Sequence, residues 1–178
     1  DAGRGAIEVL THACDVVVLC DVRTTLLDAP RIYGPQKGAT PAMMPRLDAR
    51  MRALPRRVWK MPGSGAAGGL AGGLASIGAR LVSGSEYVLR ELAFRERTRG
   101  ARLVITGEGR FDRTSMAGKA TGAVIAASRP PVVVVCGTSE LTARQAGVRA
   151  IVQLIDLDPD PMGHPERAIR AAAREILR

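Results

Sequence analysis

Aromatic residues are scarce in this chain of 178 residues, at 3% of the sequence. Since hydrophobic residues together reach 46%, the core must be built from Val, Leu, Ile, Ala and Met. Few aromatic side chains are available to stack on bases, and the basic residues form no run of five or six like charges. We therefore expect no nucleic-acid partner, despite a net charge of +9 and a pI of about 10.6.

Long apolar runs, paired cysteines and histidine clusters are also missing. No apolar run approaches the ~20 residues that span a bilayer, so we expect no membrane association. Three cysteines without Cys-x-x-Cys spacing and two isolated histidines argue against a zinc site and indicate a reducing compartment. The opening Asp1-Ala2-Gly3-Arg4 differs from a signal peptide. We expect a cytoplasmic location and a chain cut at its start.

The apolar pattern predicts an α/β fold with parallel, Rossmann-like βα units in its C-terminal part. Short apolar runs predict strands at residues 16–20, 102–106, 132–136 and 151–155. Helices are predicted from Thr40, over 87–97 and 119–128, and from Ser139 and Pro165. Strands alternating with helices give a parallel sheet covered by helices. A composition change divides the chain into residues 1–82, part of a second α/β lobe, and residues 83–178, the Rossmann-like lobe.

The strongest chemical signature lies in residues 106–112, which follow a predicted strand. Together with the next turn, this segment holds two carboxylates, two cations and three glycines: Glu108, Asp112, Arg110, Lys119, Gly107, Gly109 and Gly118. Glycines allow a ligand to approach the backbone closely. Carboxylates beside cations at a helix N-terminus suit a magnesium–phosphate site. The alternative is a solvated loop whose acids only cap the helix.

Three further segments are candidates for ligand contact. Lys37 lies in a Gly-Pro-Gln-Lys-Gly turn, where it either faces an anion or belongs to an ordinary surface turn. Gly63-Ser64-Gly65, with Gly68, has the spacing G-x-G-x-x-G, but no buried strand precedes it as a dinucleotide fold requires. This loop is either a phosphate or substrate loop or the start of a buried helix. Asp21 follows the first strand, as a ligand or as a cap of the next loop.

Taken in order, these segments resemble the type I glycerate kinases. The resemblance covers nearly the whole chain and rests on Cys20-Asp21-Val22 and residues 33–39, 63–70, 105–112, 118–119 and 136–137. It implies a two-domain α/β fold, with ATP and Mg²⁺ as cofactors. It also implies D-glycerate as the small-molecule substrate and transfer of the γ-phosphoryl group to give 2-phosphoglycerate.

The resemblance further implies roles for the candidate residues. Glu108 and Asp112 would hold Mg²⁺ or orient the attacking hydroxyl, and Asp21 is a third candidate metal ligand. The cations Lys37, Arg110 and Lys119 would neutralise phosphate or the carboxylate of glycerate. The expected nucleotide contacts are Gly107, Gly109, Gly118, Lys119, Gly63, Ser64 and Gly65.

The chain also departs from the family pattern. Thr24-Thr25 replaces Asn-Pro, and Arg113-Thr114-Ser115 follows Asp112 where a glutamine is common. The family's N-terminal half is missing from this sequence, so we expect an incomplete sheet and cleft. The chain is then the C-terminal part of a kinase that needs its missing half as a partner. One alternative is an inactive fragment that forms a homo-oligomer. Another, resting only on the G-x-G-x-x-G spacing, is a dinucleotide-binding domain.

Overall fold

The computed structural model describes residues 14–177, which form two compact units. The first unit ends at Tyr87 and the second begins at Val88. Both contain a parallel sheet with helices, which confirms the predicted α/β class. The boundary near residue 82 stays a prediction. Within residues 14–177, every helix is too short or too polar to cross a membrane.

The first unit contains a two-stranded parallel sheet. Strand β1 (Val17–Cys20) pairs with β2 (Arg80–Ser83). The connection between them carries four α-helices: α1 (Ala29–Tyr33), α2 (Met44–Arg52), α3 (Arg56–Trp59) and α4 (Leu70–Ser76). Its most buried apolar side chains are Leu26 and Val58, which pack with Ala75.

Two details of the first unit differ from the sequence-based expectations. The α-helix predicted from Thr40 begins only at Met44, after a 3-10 turn over Pro41–Met43. Within the described chain, the Thr40 side chain makes no capping hydrogen bond. The Gly-rich segment enters α4 through another 3-10 turn, Ala66–Gly69, which agrees with the alternative of a buried helix start.

The second unit contains a three-stranded parallel sheet in the order β3-β4-β5. Its strands are β3 (Val104–Phe111), β4 (Val132–Ser139) and β5 (Ala150–Gln153). Helix α5 (Gly84–Glu91) contains the division between the units. The remaining helices are α6 (Phe94–Arg97), α7 (Ala120–Ala127), α8 (Ala143–Ala146), α9 (Leu154–Leu157) and α10 (Pro165–Ile176). This arrangement confirms the predicted βα units.

Strands β3 and β4 are longer than the sequence predicts. We expected a Gly-rich turn after residue 106 and another turn at Gly137, but both segments continue as paired strand. The reason is close packing of the two backbones. A Cβ atom on Gly107 would lie 2.1 Å from the carbonyl oxygen of Val135, and one on Gly137 would lie 2.5 Å from that of Gly109. The glycines permit strand pairing here.

The helices of the second unit also require corrections. The helix predicted over residues 87–97 is two helices, α5 and α6, because Ala93 adopts a left-handed conformation with φ of 47°. Val88 and Leu92, which are four residues apart and share one helix face, are exposed. The helix expected from Ser139 begins at Ala143, after a capping box formed by Thr142. On α10, Ala172 is buried, whereas Ile169 is exposed.

Candidate functional site

The candidate site of the second unit lies at the carboxyl end of β3. Glu108 and Arg110 lie in the C-terminal half of this strand, and Asp112 follows it directly. Lys119 stands immediately before α7, at the N-terminus of that helix. Ligands of parallel sheets bind at the carboxyl ends of strands, where helix N-termini also favour anions. The fold therefore brings the four charged candidates of this segment to one edge.

Glu108 is the most enclosed charged group of this site. Its side chain is 19% exposed, and Oε2 lies 3.9 Å from Nζ of Lys119. Its other oxygen, Oε1, is buried and accepts no hydrogen bond from any described residue. Glu108 is the neighbour of Cys136 across the β3–β4 pair. Burial, followed by the charge of Glu108, raises the pKa of the Cys136 thiol to about 11, so this cysteine is protonated and poorly suited to act as a nucleophile.

Asp112 is held by the turn that follows it. Its Oδ1 accepts hydrogen bonds from the side chain and backbone N–H of Thr114, at 2.6 and 2.8 Å, and from Ser115 N–H at 3.2 Å. The hydroxyl of Ser115 in turn accepts from the Asp112 N–H at 3.1 Å. Hydrogen bonding by Thr114, above all, lowers the pKa of Asp112. The carboxylate is therefore ionised and fixed at neutral pH.

Arg110 connects β3 with the end of β4. It forms an ion pair and hydrogen bond with Glu140, and its Nε lies 3.9 Å from Oδ2 of Asp112. The Glu140 hydrogen bond raises the pKa of Arg110. Glu140 was not predicted as a site residue, because the apolar pattern predicts a strand that ends at residue 136. The Asp-x-Thr-Ser pattern could have indicated the turn that fixes Asp112, since such side chains bond locally to backbone.

The backbone around the site is tightly packed on one side and open on the other. Thr121, in the first turn of α7, donates to the carbonyl oxygen of Gly107 at 3.2 Å. Gly118 supplies the left-handed conformation before the helix, with φ of 113°. In contrast, a Cβ atom on Gly109 would meet no described atom within 4 Å. A ligand can therefore approach the strand end from the side of Gly109.

The residues of this site fit a magnesium ion that is held mainly by phosphate oxygens. Asp112 and Glu108 both supply carboxylate oxygens, which are the protein ligands that Mg²⁺ prefers, and the buried Oε1 of Glu108 lacks a partner among the described residues. Among residues 14–177, no group of three or more His, Cys, Asp or Glu side chains could hold a metal ion. A magnesium ion at this site would therefore take most of its ligands from a phosphate-bearing substrate and from water, beside one or two carboxylates of the protein.

The remaining candidates lie in the first unit, where the Gly-rich loop packs against the end of β1. Asp21 is exposed after this strand, and the neighbouring Cys20 thiol lies 3.6 Å from the carbonyl oxygen of Gly63. Ser64 is fully buried, and a Cβ atom on Gly65 would lie 2.4 Å from the Thr25 carbonyl oxygen. Cys20, Ser64 and Gly65 therefore have a structural role in the close packing of this loop. Ligand binding by the loop and by Asp21 stays a prediction.

Lys37 ends a 3-10 turn over Pro35–Lys37 and lies on the surface of the first unit. The turn is closed by hydrogen bonds from Lys37 N–H to the Gly34 carbonyl oxygen, at 2.9 Å, and from Gly38 N–H to that of Pro35, at 3.1 Å. Gly38 is left-handed, with φ of 81°. Lys37 lines a cavity of about 230 Å³. Its role toward phosphate or glycerate stays a prediction.

Comparisons with known proteins agree on one family. The model of the glycerate kinase family matches residues 5–178. Glycerate 2-kinase of Escherichia coli is 36% identical, over 93% of this chain and 47% of that protein. An uncharacterised protein of Mycobacterium bovis is 34% identical, over 99% of this chain and 52% of its own length. A crystal structure assigned as glycerate kinase 2 from Salmonella typhimurium is 33% identical, with a TM-score of 0.66 over 92% of this chain and 48% of that one.

These matches confirm the resemblance drawn from the sequence motifs. The chain spans about half the length of the curated relatives it matches.

Proposed function

Because the chain belongs to the glycerate kinase family, we propose that it carries phosphoryl-transfer groups of a glycerate kinase. The proposed reaction moves the γ-phosphoryl group of ATP to the 2-hydroxyl of D-glycerate in the presence of Mg²⁺, giving 2-phosphoglycerate. The observation that carries the proposal is the set of charge pairs at the end of β3. Lys119 faces Glu108 there, and Arg110 faces Asp112.

Lys119 and Arg110 are the proposed phosphate-binding groups of the second unit. Both are partly exposed, and Lys119 adjoins the N-terminus of α7, where backbone N–H groups favour an anion. Phosphoryl transfer passes through a loose transition state, so positioning and charge neutralisation contribute more than covalent chemistry. Two cations next to an open strand end meet that requirement.

The different environments of the two carboxylates support different roles. Asp112 has a lowered pKa and a fixed Oδ1, so we assign it to hold Mg²⁺. When bound, Mg²⁺ neutralises charge on the β- and γ-phosphate oxygens. Oε1 of Glu108, with no described hydrogen-bond partner, is assigned to orient the attacking hydroxyl. This carboxylate accepts the hydroxyl proton as the substrate oxygen bonds to the γ-phosphorus and the bond to ADP breaks.

Other proposed contacts involve the first unit and the nucleotide. Gly107, Gly109 and Gly118 are proposed to let the nucleotide phosphates approach the backbone. Lys37 is a further proposed partner of an anionic group, and Asp21 a further candidate metal ligand. The buried thiols of Cys20 and Cys136 are consistent with the reducing cytoplasm that we propose as the location.

The test is ADP release with ATP, Mg²⁺ and D-glycerate. The chain is assayed alone and mixed with the N-terminal half of the Escherichia coli enzyme, because the matched relatives are about twice as long. Glu108→Gln is expected to reduce turnover by about 10²–10⁴, the usual contribution of a positioned base. Asp112→Asn keeps an oxygen that can accept the Thr114 bonds and is expected to reduce turnover through weaker Mg²⁺ binding.

Glu166→Gln serves as the matched control, because this side chain is largely exposed on α10 and distant in sequence from the β3 segment. It is expected to leave turnover unchanged. Full activity of both the Glu108 and the Asp112 variants would contradict the assigned roles. Product identification by NMR distinguishes 2-phosphoglycerate from its 3-phospho isomer.

A second candidate function is self-association without catalysis, and exposed apolar strand residues favour it. Leu19 on β1 and Ile105 on β3 are 49% and 57% exposed. Apolar groups on strands promote association when they are not covered. Sedimentation measurements over a range of concentrations test this alternative. The alternative would be supported by a molecular mass that grows with concentration, together with no ADP release by the chain alone or by its mixture with the N-terminal half.

A further inference from the structure

Helix α2 has an apolar face that the described part of the chain covers only in part. Met44, Leu47 and Met51 recur at spacings of three and four, which is typical of a buried helix face. Nevertheless, no residue of α2, all of which the structure describes, is fully buried. Leu47 and Met51 line the cavity of about 230 Å³ beside Lys37, and Met51 also packs against the cluster of Leu26, Val58 and Ala75. Apolar surface that faces a cavity can still be removed from water by a ligand.

The opposite wall of this cavity is also apolar. It is formed by α1, whose Ala29 and Pro30 are buried, and by Tyr33 at the end of that helix. The Tyr33 hydroxyl lies 2.7 Å from Oγ1 of Thr24, so its polar atom already has a partner. The aromatic ring is therefore available as an apolar contact for a ligand.

Lys37 is the only charged residue among the described residues that line the cavity. It forms no ion pair with any carboxylate in residues 14–177, and the closed turn fixes its backbone. Small-molecule sites commonly combine apolar walls with a few placed polar groups. A single lysine at apolar walls favours a ligand that carries one negative charge and a hydrocarbon portion.

We propose that this cavity binds an organic anion with a compact apolar body. Its carboxylate pairs with Lys37, and its hydrocarbon part contacts Leu47 and Met51. At about 30 Å³ per water molecule, the cavity volume of about 230 Å³ equals roughly eight waters, which fits an aromatic carboxylate such as benzoate. D-glycerate carries hydroxyls and offers little apolar surface to these walls. The inference specifies the anionic group proposed above for Lys37, and it is tested by ligand binding to the first unit, separately from phosphoryl transfer.

The proposal is tested by titrating the chain with benzoate and with benzamide, its uncharged counterpart, using ligand-observed NMR. The unmodified chain is expected to bind benzoate more tightly than benzamide. Lys37→Ala is expected to weaken benzoate binding about tenfold, the factor for loss of one charged hydrogen bond, and to leave benzamide binding unchanged. Lys60→Ala removes another exposed lysine of this unit that does not line the cavity, and is expected to change neither.

A second pair of variants tests the apolar wall. Leu47→Glu places a negative charge in the wall and is expected to abolish benzoate binding, whereas Ala49→Glu adds the same charge at an exposed position of α2. Far-UV circular dichroism verifies that each variant is folded. Equal benzoate affinity with and without Lys37 would overturn the proposal, and so would the absence of saturable binding. Displacement of benzoate by an equal concentration of D-glycerate would also overturn it.

Discussion

Replacing Ser64 with alanine is expected to destabilise the first unit by about 2–4 kcal/mol. Ser64 is completely buried, and its Oγ accepts a hydrogen bond from Leu26 N–H at 2.8 Å while donating to the Met61 carbonyl oxygen at 2.7 Å. Loss of the bond to Met61 costs about 1 kcal/mol, and leaving the buried Leu26 N–H without an acceptor costs a further ~1–3 kcal/mol. Leu26 is itself fully buried, so water cannot readily replace the lost acceptor.

The assay uses Trp59, the only tryptophan of the chain. It packs against the cluster that contains Leu26 and Val58, so its fluorescence reports unfolding of the first unit. At a slope of about 2 kcal/mol per molar urea, the expected loss lowers the unfolding midpoint by about 1–2 M. Following one unit by its own fluorophore also avoids the assumption that the whole chain unfolds in one step.

Ser76→Ala is the matched control for this experiment. Its hydroxyl makes one partly buried hydrogen bond, to the Gly73 carbonyl oxygen at 2.7 Å, and its removal is expected to cost about 1 kcal/mol or less. A Ser64→Ala midpoint equal to that of the unmodified chain would refute the reasoning. That result would mean that Ser64 is dispensable for the fold and would strengthen the prediction that it contacts a nucleotide.

Two further predictions concern the second unit. Gly107→Ala forces a Cβ atom to 2.1 Å from the Val135 carbonyl oxygen and is expected to destabilise the sheet by about 1–3 kcal/mol or more. In contrast, a Cβ atom on Gly109 meets no described atom within 4 Å, so Gly109→Ala is expected to be tolerated. Thermal unfolding of the two variants tests this difference. Asp158 has a pKa lowered to about 2, mainly by its hydrogen bond with Arg167. Because the unfolded chain binds this proton more tightly, the stabilisation is present above about pH 4 and is lost as the pH falls toward 2. Asp158→Asn is expected to make the free energy of unfolding depend less on pH in this range. If urea unfolding shows the same pH dependence for the variant and the unmodified chain, the assignment is contradicted.

The order of strands and helices in the second unit could be predicted from the sequence, because their signals are local. Runs of β-branched residues favour extended backbone wherever they occur, and the Pro165 helix start needs only its own first turn. The candidate site at the end of β3 could also be predicted from the sequence, since its carboxylates and cations lie within a few residues of one another. The turn that fixes Asp112 is also encoded locally, by Thr114 and Ser115.

Other features depend on residues that are distant in the sequence. Glycines after residue 106 predict a turn when they are considered alone, yet they form strand because the β4 backbone lies against Gly107. The Arg110–Glu140 pair and the pairing of Glu108 with Cys136 arise only when β3 lies beside β4. By itself, the sequence determined the local elements and the set of reactive groups. Tertiary structure decided where strands end and which groups meet, because backbone pairing and burial depend on neighbours that the local sequence does not specify.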